Sequence, residues 1–193
     1  AMDEAGKETP VKRPAPTPPV EARPRRLSVT QVETWMRDPY AIFARHILGL
    51  RVLDPIDADP GAADRGNMIH DALDSFVRRY PDTLPDDMRA ALTEAGEAAF
   101  GDALALPGVW AFWWPRYRTV ADWFASVERA YRQDIAATHT EVMGALEIAG
   151  PGGAFRLIAK ADRVDFLHDG TLSIIDYKTG ATPGKTEIAL GFA

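Results

Sequence analysis

No cysteine occurs in the 193 residues. That excludes disulfides, cysteine-held zinc and iron–sulfur clusters, so any metal must rest on oxygen and histidine donors, a set suited to Mg²⁺ or Mn²⁺. No apolar run of about 18 residues is present either, which excludes a membrane-spanning helix of ordinary length. The first residues show no charged-then-apolar leader pattern, and the expected compartment is the reducing cytoplasm. A G-x-x-x-x-G-K-[ST] phosphate loop is also missing, so an ATP-driven motor is not expected within these residues. Positive charge is scarce: 22 Lys and Arg face 28 Asp and Glu, for a net charge of −6. Because phosphate affinity comes largely from Lys and Arg, a free-standing nucleic-acid binder is disfavoured. If the chain works on DNA, something else is expected to deliver it.

What is present suits one folded domain. Hydrophobic residues make up 46% and charged residues 26%, enough for a buried core. Residues 1–26 (AMDEAGKETPVKRPAPTPPVEARPRR) hold almost no large apolar side chain. Such a segment cannot bury enough surface to offset its ordering entropy and reads as a disordered Pro-rich linker. Ala1-Met2 reads as a cloning remnant, and a leading linker suggests the C-terminal side of something larger.

The folded part is expected over residues 27–193. Ser28 or Thr30 can cap a helix, and Thr30-x-x-Glu33 has capping-box spacing. Asp38-Pro39 restarts a helix carrying Ile42, Phe43 and Ile47, and an Asp/Pro/Gly-rich loop follows over 54–64. Ile69, Leu73, Phe76 and Tyr80 mark a helix over 64–80. Further helices are expected over 85–105 and from Pro115 to about Ala137. After Thr138 the period drops to two, which predicts strands near 140–149, 154–166 and 171–178 with turns at Pro151-Gly152-Gly153 and His168-Asp169-Gly170. The fold class is α+β, an antiparallel or mixed sheet flanked by helices.

The second hairpin carries the chemistry. Asp176 and Lys178 lie two apart and share one side of a strand. A turn centred on Asp169 sets Asp162 directly opposite Asp176, with Cβ atoms about 5 Å apart. Facing carboxylates repel unless they share a cation, and Lys178 beside them offsets one charge. TLSIIDYKTG reads as a buried strand up to Asp176, where such a cluster is costly without a function. Read alone, Asp-x-Lys is a solvated surface pattern, and that reading stays open.

Asp162 followed by Ile175-Asp176-Tyr177-Lys178 resembles the RecB-like branch of the PD-(D/E)xK nucleases, and RGNMIH, ending in His70, resembles that branch's upstream histidine motif. LSVTQVETWMRDPYAIFARHILGL, ADRGNMIHDALDSF, KADRVDF and IIDYKTG together resemble the C-terminal nuclease domain of the AddB family of helicase–nuclease subunits. The resemblance covers residues 27–193 and implies a restriction-endonuclease-like core. It implies that Asp162, Asp176 and His70 ligate Mg²⁺ or Mn²⁺, with the Tyr177 carbonyl completing the shell. Lys178 would orient or help deprotonate the attacking water. The implied activity is hydrolysis of single DNA strands from unwound duplex ends during double-strand-break repair, beside an AddA-like helicase partner. The alternative is an inactive nuclease-fold module that binds DNA or scaffolds the same complex.

Three departures from the family pattern stand out. Ala159 replaces a frequent glycine, the iron–sulfur cysteines of some relatives are absent, and the helix carrying a Gln and a Tyr after the last block is not reached, so a C-terminal helix is expected to be missing. Arg65, at the start of the His70 helix, is a candidate phosphate contact, with pairing to a nearby aspartate equally open. Asp165 is expected on the other side of its strand in a structural ion pair near Arg163. Glu141 is expected to be a surface residue, with an approach to the site the lesser reading. Trp110, Phe112, Trp113 and Trp114 read as core or a docking surface, with base stacking less favoured.

Overall fold

A computed structural model describes residues 12–13, 15–53, 60–180 and 184. Nine regular elements follow in order among them: β1 (Arg26–Ser28), α1 (Val29–Arg37), α2 (Pro39–His46), α3 (Ala62–Arg79), α4 (Met88–Phe100), α5 (Trp114–Tyr131), β2 (Ile135–Ile148), β3 (Phe155–Leu167) and β4 (Leu172–Ile175). The sheet is mixed: β3 pairs with β2, with β1 in parallel and with β4 antiparallel. The result is an α+β fold of five helices and a four-stranded sheet. No helix among the described residues is long and apolar enough to cross a membrane. The chain divides into two compact units, residues 1–54 with 145–159 and residues 55–144 with 160–193.

In the first unit, Val20–Ala22 forms a single 3₁₀ turn within the Pro-rich segment. The chain then enters β1, with Leu27 opposite Leu157 on β3 and almost fully buried. This parallel strand was not anticipated, because three residues beside an Arg/Pro run are too few to show a period. Ser28 caps α1: its Oγ accepts from the Gln31 N–H at 3.1 Å while Gln31 Oε1 accepts from the Ser28 N–H at 3.0 Å. The box is therefore Ser28/Gln31 and not Thr30/Glu33, and Glu33 instead pairs with Arg37 one turn on. Asp38 caps α2 as expected, accepting from the Tyr40 and Ala41 amides, with Pro39 at the first helical position. A cavity of about 910 Å³ in this unit is lined by Leu27, Trp35, Tyr40, Phe43 and Phe155 among others, and holds none of the candidate site residues.

The second unit contains the main core. Leu73, Phe76 and Val77 from α3, Leu92 and Phe100 from α4, and Trp114, Tyr117 and Phe124 from α5 are buried together. Phe76 meets Phe124 edge-on, and Tyr117 stacks on Trp114 with centroids 5.3 Å apart. Helices α4 and α5 close on each other at Gly96, whose missing Cβ is the space the Tyr117 ring fills. Helix α5 stops at Tyr131, short of the expected Ala137. Arg132 donates to the Tyr80 and Pro81 carbonyls, and β-strand alternation starts at Ile135, five residues earlier than expected.

The β3–β4 hairpin forms with the expected register, Arg163 opposite Ile175 and Phe166 opposite Leu172. Gly170 supplies the left-handed turn residue at φ +83°, and Asp169 Oδ1 accepts from both the amide and the hydroxyl of Thr171. Strand β4 ends at Ile175, so Asp176–Lys178 continue beyond the last paired residue. The expectation of a buried strand holds on one face only. Leu172 and Ile174 are 56% and 71% exposed, because no described element covers that side.

Candidate active site

Two segments distant in sequence meet here for local reasons. Helix α3 carries Ile69, Leu73 and Phe76 on its buried stripe, so His70 falls at the margin of that stripe, partly exposed. Four residues earlier, Gly66 lets the helix approach the chain that follows Lys178: a Cβ there would lie 3.3 Å from Thr179 Oγ1. The glycine of R-G-x-x-x-H and the threonine of D-Y-K-T are thus matched surfaces.

Around Asp162 several groups converge. Its Oδ1 lies 3.4 Å from His70 Nδ1, and its Oδ2 accepts from the Tyr177 N–H at 2.7 Å. The side chains of His70 and Asp162 are 28% and 16% exposed. Extending the hairpin register by one pair sets Asp176 across from Asp162. Asp176 Oδ2 lies 2.6 Å from Lys178 Nζ, and both of these side chains are more than half exposed. The structure therefore brings together His70, Asp162 and Tyr177 at one point, and Asp176 with Lys178 at the neighbouring one. Burial makes the charge costly at Asp162 but not at Asp176 and Lys178, which face solvent. The group of Tyr177 that touches Asp162 is its N–H, whereas the resemblance implied a role for its carbonyl.

The donor set suits a hard divalent ion, since it offers carboxylate oxygen and one imidazole nitrogen and no sulfur. Among the described residues, no three His, Asp or Glu side chains already converge on one point. Asp176 is engaged by Lys178, so completing a three-donor site requires that carboxylate to exchange its ammonium partner for the ion. The donors fit the chemistry, and two of the three are in contact.

Arg65 lies in the first turn of α3, partly exposed, and forms no ion pair with any described carboxylate. Several of the aspartates considered as its partners fall in 54–59, outside the described residues. Asp165 is fully buried, bonded to Arg163 and Thr138 on the helix-facing side of β3, as expected for a structural ion pair. Glu141 pairs with Lys160 and adopts a left-handed backbone (φ +57°), unusual inside a strand for any residue but glycine. The aromatic cluster divides: Trp114 is buried, while Trp110 and Phe112 are 58% and 67% exposed.

The buried charges behind the site were not apparent from the sequence. Glu128 Oε1 accepts from Arg132 Nε at 2.6 Å and from Arg163 Nη1 at 2.7 Å, and Arg163 Nε donates to Asp165 Oδ1 at 2.8 Å. A signal existed, since Glu128 and Arg132 have i,i+4 spacing and Arg163 and Asp165 share a strand face. Nothing in the sequence shows that both pairs are buried.

The mixed sheet, the helices and the Asp162/Asp176/Lys178 hairpin define a nuclease fold, and the chain belongs to the PD-(D/E)XK nuclease superfamily, which it matches over residues 26–191. It is similar to uncharacterized proteins of Rickettsia bellii (31% identity over 170 residues) and Rickettsia conorii (30% over 174). A protein of Rickettsia felis is 31% identical over 176 residues. Each match takes in 88% of this chain, which spans only about a fifth of the length of these relatives.

Proposed function

We propose that this domain is a Mg²⁺-dependent deoxyribonuclease that hydrolyses single DNA strands, acting inside a larger helicase–nuclease that processes double-strand ends for recombinational repair. The observation that carries the reading is the hairpin register, which sets Asp162 across from Asp176 with His70 3.4 Å from Asp162. Asp162, Asp176 and His70 would hold the ion, which when bound supplies positive charge to the phosphate oxygens and acidity to the attacking water. Lys178 brings an ammonium to the same edge, where it can orient that water and balance charge developing on the phosphate. Tyr177, through its N–H, fixes one oxygen of Asp162 and leaves the other directed at His70. Arg65, free of described carboxylates, is available to a DNA phosphate.

The wider assignment rests on the four AddB-like blocks and on charge. A chain with net charge −6 gathers little DNA by itself, so delivery by an AddA-like helicase partner accounts for an acidic nuclease domain. The test is cleavage of an end-labelled single-stranded oligonucleotide in Mg²⁺, comparing wild type with Asp176→Ala and Lys178→Ala. Each substitution is expected to lower the rate about a hundredfold or more. Equal rates in all three proteins would leave the inactive-scaffold alternative standing and remove this one.

A further inference from the structure

Directly behind Asp162, on the other face of β3, two arginines and two carboxylates are buried together. The side chains of Arg163, Glu128 and Asp165 are 1%, 3% and 0% exposed and that of Arg132 is 9%. The Tyr131 ring covers the Arg163 guanidinium, 5.4 Å from its centroid. The charges balance, but a buried four-charge cluster is weak as a stabilising device, since well-packed apolar residues often do as well. Its placement points elsewhere. Four buried side-chain polar atoms among the described residues lack a hydrogen-bond partner: Arg132 Nη2, Arg163 Nη2, Asp165 Oδ2 and Tyr177 Oη. Three belong to the cluster and the fourth is the phenol of the D-Y-K segment.

Tyr177 connects this cluster to the site. Its N–H holds Asp162, and its ring meets His70 edge-on at 6.2 Å and Phe124 at 6.2 Å. Its hydroxyl is buried beside Arg163, near enough for the guanidinium charge to favour the oxygen's negative end, although the geometry falls short of a regular hydrogen bond. In a dry environment that charge–dipole attraction is strong. The segment after β4 has no sheet pairing of its own, so the phenol is what fixes its height over the core.

We propose that Arg163 is a positioning residue which, through the Tyr177 phenol, holds the Asp176–Lys178 segment and the Tyr177 N–H in register with Asp162. Arg163 touches neither metal nor DNA. It acts by making Tyr177 a fixed post between the buried charges and the two acidic residues. This positioning role rests on the nuclease reading only for its effect on rate.

The test uses the full chain with Tyr177→Phe and Arg163→Lys, read in two ways. Amide hydrogen exchange over residues 172–180 is expected to speed up about tenfold in Tyr177→Phe, while α3 and α4 amides keep wild-type protection. Arg163→Lys, if folded, should do the same, and the double variant should exchange no faster than Arg163→Lys alone. In cleavage assays kcat should fall with KM for DNA unchanged in both single variants. Unchanged exchange at Tyr177 in the Phe variant, or additive effects in the double variant, would overturn the proposal. Altered exchange in a protein with no nuclease activity would uphold the positioning role and remove the nuclease reading instead.

Discussion

Replacing Gly96 by alanine should damage the core severely for so small a change. A Cβ at this position would lie 2.0 Å from Tyr117 Cε1, 2.5 Å from Cζ and 2.9 Å from Cδ1. Ordinary carbon contacts need about 3.5 Å, so the ring must retreat by roughly 1.5 Å. It has nowhere to go. Tyr117 is fully buried, stacked on Trp114 at 5.3 Å, packed on Phe100 at 5.5 Å, and its hydroxyl donates to the Leu92 carbonyl. Overpacking costs about 1–3 kcal/mol, and breaking the buried hydroxyl bond adds about 1–3 kcal/mol. The helix propensity of alanine returns about 1 kcal/mol. The net loss is about 1–5 kcal/mol, a large share of a typical total of about 5–15. Urea unfolding followed by circular dichroism should show a lower midpoint with an unchanged m-value. Adding Tyr117→Leu should recover part of the loss, because it removes the atoms in conflict. A Gly96→Ala protein as stable as wild type would show that this packing is wrong.

Two further outcomes follow. Burial pushes the phenols of Tyr117 and Tyr177 above the usual tyrosine range, with Arg163 pulling Tyr177 partly back. The stability these neutral phenols contribute is fully present below about pH 10, the unfolded value, and is lost as pH rises through their folded values. Phenolate absorbance should therefore show two of the five tyrosines ionising only as the fold opens, and five titrating together would contradict it. Arg65→Ala should weaken single-stranded DNA binding evenly across sequences and flatten the log K against log salt plot by about 0.7, the contribution of one phosphate contact. An unchanged slope would remove Arg65 from the DNA interface.

Much of the site was legible because a hairpin has few degrees of freedom. Once His168-Asp169-Gly170 was recognised as the turn, the period of two required Asp162 to oppose Asp176, and the observed pairing of Arg163 with Ile175 agrees. The helix of His70 was equally plain from Ile69, Leu73 and Phe76. What the pattern could not supply was long-range context. Leu172 and Ile174 read as core by composition, yet they face outward because burial depends on what covers a strand. Glu128 reads as a surface residue on an amphipathic helix, and only the meeting of α5 with β3 makes it a buried partner of Arg163. The end of α5 was misplaced because Ile135, Ala136 and Ala137 suit either a helix or a strand. The held carbonyls at Tyr80 and Pro81, far away in sequence, accompany the change.

Calorimetric titration of Mn²⁺ into the wild-type domain, Asp162→Ala and Asp176→Ala addresses the central claim most directly. A saturable binding heat is predicted in the wild type, lost or weakened at least about tenfold in each variant. Identical heats in all three proteins would mean that these two carboxylates do not share an ion, and the hydrolytic site would have to be sought elsewhere.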